Sequence, residues 1–86
     1  MRYKPTKQAL VKTLDNGAVA LHVDSGDYYS LNSTAIHMWT LMERGCTVVE
    51  IVATIADQYA VSAEDAKKDV SRFLHELEER GLIESA

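Results

Sequence analysis

The amino-acid sequence predicts an α+β fold in which a three-stranded antiparallel β-meander precedes three α-helices. Residues 9–31 alternate apolar and polar positions and contain two turn signals, which is typical of short strands joined by tight connections. From residue 32 onward the apolar positions recur with the helical period, and three helix-start signals follow one another. With 86 residues, the chain is expected to form one small domain over 1–86.

Two turns separate the three predicted strands. Ala9–Leu14 alternates, and the Asp-Asn-Gly sequence at 15–17 accepts the positive backbone angles of a tight hairpin turn. Ala18–Val23 forms the second predicted strand, and a turn over 24–27 leads into the third, Tyr28–Leu31. Sequential strands joined by such short turns pair with one another, so a meander is expected.

Each predicted helix begins at a side chain that can cap it. Asn32 or Ser33 can cap the first helix, and Thr47 with Glu50 has the spacing of a capping box at the second. Ser62 can cap the third helix, which is predicted over 63–80. The apolar residues of that helix are spaced for one buried stripe: Ala66, Val70, Phe73, Leu74 and Leu77.

The charge balance argues against a nucleic-acid partner. Nine Lys plus Arg oppose thirteen Asp plus Glu, which gives a net charge of −4, whereas proteins that neutralise phosphates are basic. The third helix would be the recognition helix of a winged-helix DNA-binding protein, yet four basic residues stand there against six acidic ones. These are Lys67, Lys68, Arg72 and Arg80 against Glu64, Asp65, Asp69, Glu76, Glu78 and Glu79.

No set of residues with catalytic or metal-ligating spacing is found. Cys46 is the single cysteine, and the three histidines fall on three different predicted elements without a Cys-x-x-Cys pair. The sequence contains neither a signal-peptide pattern nor an apolar run of about 18 residues. We therefore expect no catalytic residue, no cofactor, no metal and no membrane partner, and a cytoplasmic location.

The outer edge of the third predicted strand is the candidate functional site. Exposed strand edges are usually protected by Lys or Pro, and the first strand region carries Pro5, Lys7 and Lys12, whereas residues 27–31 carry neither. An unprotected edge can accept an extended peptide as an additional strand. The alternative is that the third helix simply covers this strand.

One flank of the third helix is a candidate wall for a groove beside that edge. If Ala66, Val70, Phe73 and Leu77 form the buried centre, Leu74 lies toward the rim, with Lys67 and Ser71 further round the same side. Leu74 is also compatible with an ordinary core position, so the stripe alone does not favour binding.

Residues 27–83 contain an ordered set of motifs. These are Asp27-Tyr28-Tyr29-Ser30-Leu31-Asn32-Ser33-Thr34-Ala35, Trp39, Gly45-Cys46-Thr47-Val48-Val49-Glu50-Ile51, Tyr59, Asp69-Val70, Phe73-Leu74, Leu77 and Arg80-Gly81-Leu82-Ile83. This ordered set resembles the PqqD-like family, whose members are small recognition elements that bind the leader peptides of ribosomally synthesised and post-translationally modified peptides (RiPPs).

The resemblance implies a winged helix-turn-helix-like fold that performs no chemistry itself. A leader peptide would lie as an added strand beside the third strand, in a groove walled by the third helix. Tyr28 or Tyr29 would supply an aromatic wall and Lys67 would meet a leader carboxylate. The full set of peptide-binding residues implied in this way is Asp27, Tyr28, Tyr29, Ser30, Leu31, Lys67, Val70, Ser71 and Leu74. Ala35 and Cys46 depart from the family, which often has Gly and a basic or polar residue there.

The resemblance also implies a partner enzyme on another chain. We expect the type found in lasso peptide biosynthesis, in which the recognition protein works with a separate leader-cleaving cysteine protease. The alternatives are a PqqD-type chaperone that delivers its peptide to a radical SAM enzyme, and a winged-helix DNA-binding protein. A monomer is favoured, while a dimer formed by edge pairing or by exchange of elements stays open.

Overall fold

The computed structural model describes all residues from Met1 to Ala86 and contains five strands and three helices. The α+β fold, with a three-stranded antiparallel sheet followed by three helices, is confirmed. None of the helices has the length and apolar character needed to cross a membrane. In chain order the elements are β1 (Tyr3–Pro5), β2 (Ala9–Leu14), β3 (Gly17–His22), β4 (Tyr28–Leu31), α1 (Ser33–Glu43), α2 (Val48–Gln58), α3 (Ala63–Glu79) and β5 (Ile83–Ser85).

The meander has the sheet order β2-β3-β4, as the turn signals predict. In the β2–β3 hairpin Leu14 lies opposite Gly17, and in the next pair Ala18 lies opposite Leu31. Gly17 has a φ of +150°, and a Cβ built on it would lie 2.7 Å from the carbonyl oxygen of Leu31. Glycine at 17 therefore permits both the turn and the close approach of β4.

The three predicted caps begin the three helices. Asn32 Oδ1 accepts the N–H of Ala35 at 2.9 Å, and Ser62 caps α3 through an equivalent bond. Thr47 and Glu50 form the capping box, in which the Glu50 carboxylate accepts the Thr47 N–H at 2.7 Å and the Thr47 hydroxyl accepts the Glu50 N–H at 3.1 Å. The bond from the Thr47 N–H lowers the pKa of Glu50 because it favours the ionised carboxylate.

A second sheet, made of β1 and β5, has no counterpart in the sequence prediction. Tyr3 pairs with Ser85 and Pro5 with Ile83, so the two ends of the chain lie side by side. The Val48 N–H also donates to the carbonyl of Met1 at 2.8 Å, which ties the N-terminal segment to the start of α2. This segment thus packs beside the helices rather than extending the meander.

One hydrophobic cluster of sixteen buried residues joins the sheet to the helices. The meander contributes Ala18, Ala20 and Leu31, and α3 contributes the five residues of its predicted stripe. No charged or polar residue is buried. Small alanines on β3 let the helices pack close to the sheet, and β4 is thereby held near α3.

Candidate functional site

The outer edge of β4 is unpaired. The sheet ends at β4, and the His22 N–H donates to the Asp27 carbonyl at 2.8 Å immediately before this strand. Since hydrogen-bonding direction alternates along an antiparallel strand, Tyr29 and Leu31 turn their backbone groups toward β3, and Tyr28 and Ser30 turn theirs outward. Four backbone groups, the N–H and C=O of Tyr28 and Ser30, therefore face away from the sheet.

A groove separates β4 from α3. Its cavity measures about 300 Å³ and includes apolar surface from Ala35, Met38 and Phe73. Tyr28 and Ser30 are exposed beside it, so α3 stands across the groove from the strand edge rather than covering it. The complete lining comprises Tyr29, Ser30, Asn32, Thr34, Ala35, Met38, Asp69, Arg72 and Phe73.

Tyr29 spans from β4 to α3 at one end of this groove. Its hydroxyl donates to Glu76 Oε2 at 2.7 Å, and the Arg80 Cζ lies 5.0 Å from the centroid of its ring. Phe73 meets the same ring edge-on, with the centroids 6.1 Å apart. Burial, followed by the hydrogen bond to the Glu76 carboxylate, raises the pKa of Tyr29 above its ordinary value of 10.0. The phenol is therefore neutral and a hydrogen-bond donor at physiological pH.

Charged groups of both signs stand at the groove. Arg72 Nη2 lies 3.3 Å from Asp69 Oδ1, and both side chains are more than half exposed. An exposed pair of this kind contributes at most about 1 kcal/mol, so Arg72 is free to exchange partners. The groove can therefore meet a carboxylate of a bound chain through Arg72, the role that the sequence prediction gave to Lys67.

The flank of α3 that was expected to face β4 lines other cavities in the structure. Lys67 lines a different cavity of about 410 Å³ beside the start of α2, together with Val49. Ser71 and Leu74 line another, of about 590 Å³, beside Tyr3. Both flanks of a buried helical stripe have the same spacing in sequence, so the pattern alone does not tell which one faces a given strand.

Two further residues of the expected set are core residues. Val70 is 0% exposed and Leu31 is 3% exposed, so neither offers its side chain to a bound molecule. Leu74 is also buried, at 3%, and a charge placed there would disrupt the core rather than only a groove wall. Of the expected residues, Asp27, Tyr28, Tyr29 and Ser30 are brought together at the β4 edge.

Asp69, Arg72 and Phe73 are groove residues that the sequence prediction missed. These residues form a row along α3 that continues through Glu76 to Arg80. Its helical spacing is as regular as that of the expected row through Lys67 and Leu74. The observation that distinguishes the two rows is the tertiary contact of Tyr29 with Phe73 and Glu76. No signal in the sequence indicates that contact.

Groups of three or more His, Cys, Asp or Glu side chains in a metal-binding arrangement are absent from the structure. Cys46 is a half-buried free thiol.

Comparison with known protein families identifies the fold's relatives. A family model described as "Coenzyme PQQ synthesis protein D (PqqD)" matches residues 17–83, which include β3, β4 and all three helices. The chain belongs to the PqqD family. The resemblance noted in the sequence is thereby confirmed, and the match takes in both walls of the groove of this PqqD-family protein. No curated protein matches the chain significantly.

Two solved structures are similar over nearly the whole chain. One, described as "Lasso peptide synthetase B1 complexed with the leader peptide", is 25% identical with a TM-score of 0.90, and the match covers 98% of this chain and 99% of that one. The other, "TbiB1 in Complex with the TbiA(beta) Leader Peptide", is 29% identical with a TM-score of 0.86, and the match covers 96% of each chain. Both neighbours were thus solved together with a leader peptide.

Proposed function

We propose that this PqqD-family protein is a non-catalytic recognition protein that binds the leader segment of a ribosomally synthesised precursor peptide. The observation that carries the proposal is the unpaired β4 edge, which faces a groove in a chain that shares its whole fold with two leader-peptide complexes. Strand addition at such an edge gives affinity through main-chain hydrogen bonds and selectivity through side-chain pockets.

The leader lies beside β4 as a fourth strand of the meander. The outward groups of Tyr28 and Ser30 pair with its backbone, and Asp27 marks the start of the paired region. Leader side chains alternate between the two faces of the extended sheet, so those between the hydrogen-bonded positions enter the groove. There they meet the apolar surface of Phe73 and the guanidinium of Arg72.

The recognition protein delivers its peptide to a processing enzyme on another chain. A leader-cleaving cysteine protease of the lasso type is preferred, because one structural neighbour is described as a lasso peptide synthetase. A radical SAM enzyme is the second candidate, because the family model carries the description of a coenzyme PQQ synthesis protein. Leader-dependent stimulation of one purified enzyme and not of the other decides between them.

The decisive experiment measures leader binding directly. The probe is a fluorescein-labelled synthetic peptide with the leader sequence of the precursor encoded beside this chain, titrated by fluorescence polarisation. A labelled DNA duplex at low salt is the control for a winged-helix DNA-binding protein. Saturable leader binding with a micromolar or lower Kd, which corresponds to about −8 kcal/mol or better, and no duplex binding are expected. Duplex binding without leader binding would overturn the proposal.

Sedimentation velocity tests whether the same edge is used for self-pairing. We expect a monomer that retains its sedimentation coefficient, apart from the added peptide mass, when the leader is present. A stable dimer that dissociates on addition of the leader would show that β4 pairs with a second copy in the free protein.

A further inference from the structure

The bond between Tyr29 and Glu76 is the only hydrogen bond that joins β4 to α3. It links residues 47 positions apart in the chain. With the Arg80 guanidinium 5.0 Å from the ring centroid and Phe73 at the ring edge, it forms a contact set that we name the Tyr29 clamp: Tyr29, Phe73, Glu76 and Arg80. This bond is therefore the one polar connection between the two walls of the groove, in addition to the shared hydrophobic core.

The groove ends at the Tyr29 clamp. Tyr29 and Phe73 belong to the groove lining, which continues past Ser30 toward Thr34 and Asp69. Glu76 and Arg80 contact Tyr29 but do not belong to the lining. A chain lying in the groove thus touches Tyr29 but neither of the two charged residues that hold it.

We propose that Glu76 and Arg80 are positioning residues that hold Tyr29 as a fixed end wall of the groove, and that they set leader affinity without touching the leader. The inference rests on the proposed function. The Glu76 carboxylate accepts a charge-assisted bond from the hydroxyl, and the Arg80 guanidinium lies over the ring. A side chain that is already ordered loses less conformational entropy when a ligand packs against it, so the clamp preorganises the site.

Three substitutions test the clamp through leader affinity. Glu76→Ala and Tyr29→Phe each remove the bond, and we expect each to weaken leader binding about threefold to tenfold. Combined, they should weaken binding no more than either alone, because both remove the same interaction. Glu76→Gln keeps an acceptor oxygen at the same place and should bind within about twofold of the wild type. Fluorescence polarisation with the labelled leader measures the four variants and the wild type.

A spectroscopic readout separates positioning from general destabilisation. NMR titration of tyrosines labelled with ¹³C at the ring Cζ follows the ionisation of Tyr29, whose pKa lies above 10.0 in the wild type. Glu76→Ala should lower that pKa toward the ordinary value. Glu79→Ala is the matched control, since Glu79 lies on the same helix and pairs with the exposed His75 at 3.1 Å. It should change neither the tyrosine titration nor the affinity.

Each contrary result has a distinct meaning. Wild-type affinity in Glu76→Ala, with the Tyr29 pKa lowered, would overturn the clamp and leave the proposed function intact. An equal loss in Glu76→Gln and Glu76→Ala would also overturn it, because charge and not the acceptor position would then govern affinity. A wild-type chain that binds no leader would overturn the proposed function, and the role of the clamp in affinity with it.

Discussion

Replacing Ser30 by proline tests the β4 edge with little change to the fold. The Ser30 N–H points outward from the sheet, because the ladder to β3 uses Tyr29 and Leu31. Proline removes that donor and no bond of the meander, and proline is tolerated on edge strands whose N–H faces solvent. The residue before proline must be extended, and Tyr29 already lies within a strand.

The expected loss of affinity follows from one missing main-chain hydrogen bond. The bond itself contributes about 0.5–1.5 kcal/mol, and the leader carbonyl left without a donor adds about 1–3 kcal/mol if it stays buried. A combined loss of about 1.5–4.5 kcal/mol corresponds to a Kd roughly 10- to 2,000-fold higher. Because proline also stiffens the unfolded chain, we expect the free energy of unfolding to change by less than about 1 kcal/mol.

Two measurements and one matched variant complete the test. Fluorescence polarisation gives the Kd for the labelled leader, and circular dichroism gives the melting temperature. Ser30→Ala keeps the N–H and loses only an exposed hydroxyl, so it should bind like the wild type. If Ser30→Pro melts normally and binds as tightly as Ser30→Ala, the leader does not pair with β4 and the reasoning is refuted.

Five other substitutions have defined outcomes. Arg72→Ala should weaken leader binding about threefold or more at low salt, as measured by fluorescence polarisation. Lys67→Ala, on the opposite flank of α3, should leave leader binding unchanged. Equal effects of the two substitutions would show that both flanks contact the leader. Leu74→Asp places an unpaired charge in the core and should cost more than about 3 kcal/mol in chemical denaturation, while a variant that stays folded and only loses binding would contradict the burial. Gly17→Ala should lower the melting temperature by several degrees, because its Cβ meets the Leu31 carbonyl at 2.7 Å. Glu50 has a lowered pKa in the folded chain, so its contribution to folding stability is complete above its ordinary pKa of 4.5 and is lost as the pH falls through the folded pKa. Glu50→Gln should therefore make the melting temperature depend less steeply on pH in that acidic range. An unchanged slope would assign the pH dependence to other carboxylates.

The local features of the fold could be read from the sequence because nearby residues determine them. The turn at 15–17, the caps Asn32, Thr47 and Ser62, and the strand edges all depend on side chains within about four positions of one another. The β1–β5 sheet could not be predicted. Its strands have three residues each, too few to show alternation, and they pair across nearly the whole length of the chain.

The candidate site likewise has a local part that the sequence predicts and a tertiary part that it does not. The unprotected edge at Tyr28–Leu31 is a local property of a strand without Lys or Pro, and it was predicted correctly as the last strand of the meander. The wall across the groove is a tertiary property, because α3 presents two rows of equal spacing and the choice depends on how the helix is rotated against β4. The sequence does not distinguish the row through Lys67 and Leu74 from the row through Phe73 and Glu76. Only the contact of Tyr29 with the second row, seen in the structure, distinguishes them. Binding experiments that vary Lys67 alone would therefore leave the groove beside β4 untested, because that side chain lines a different cavity.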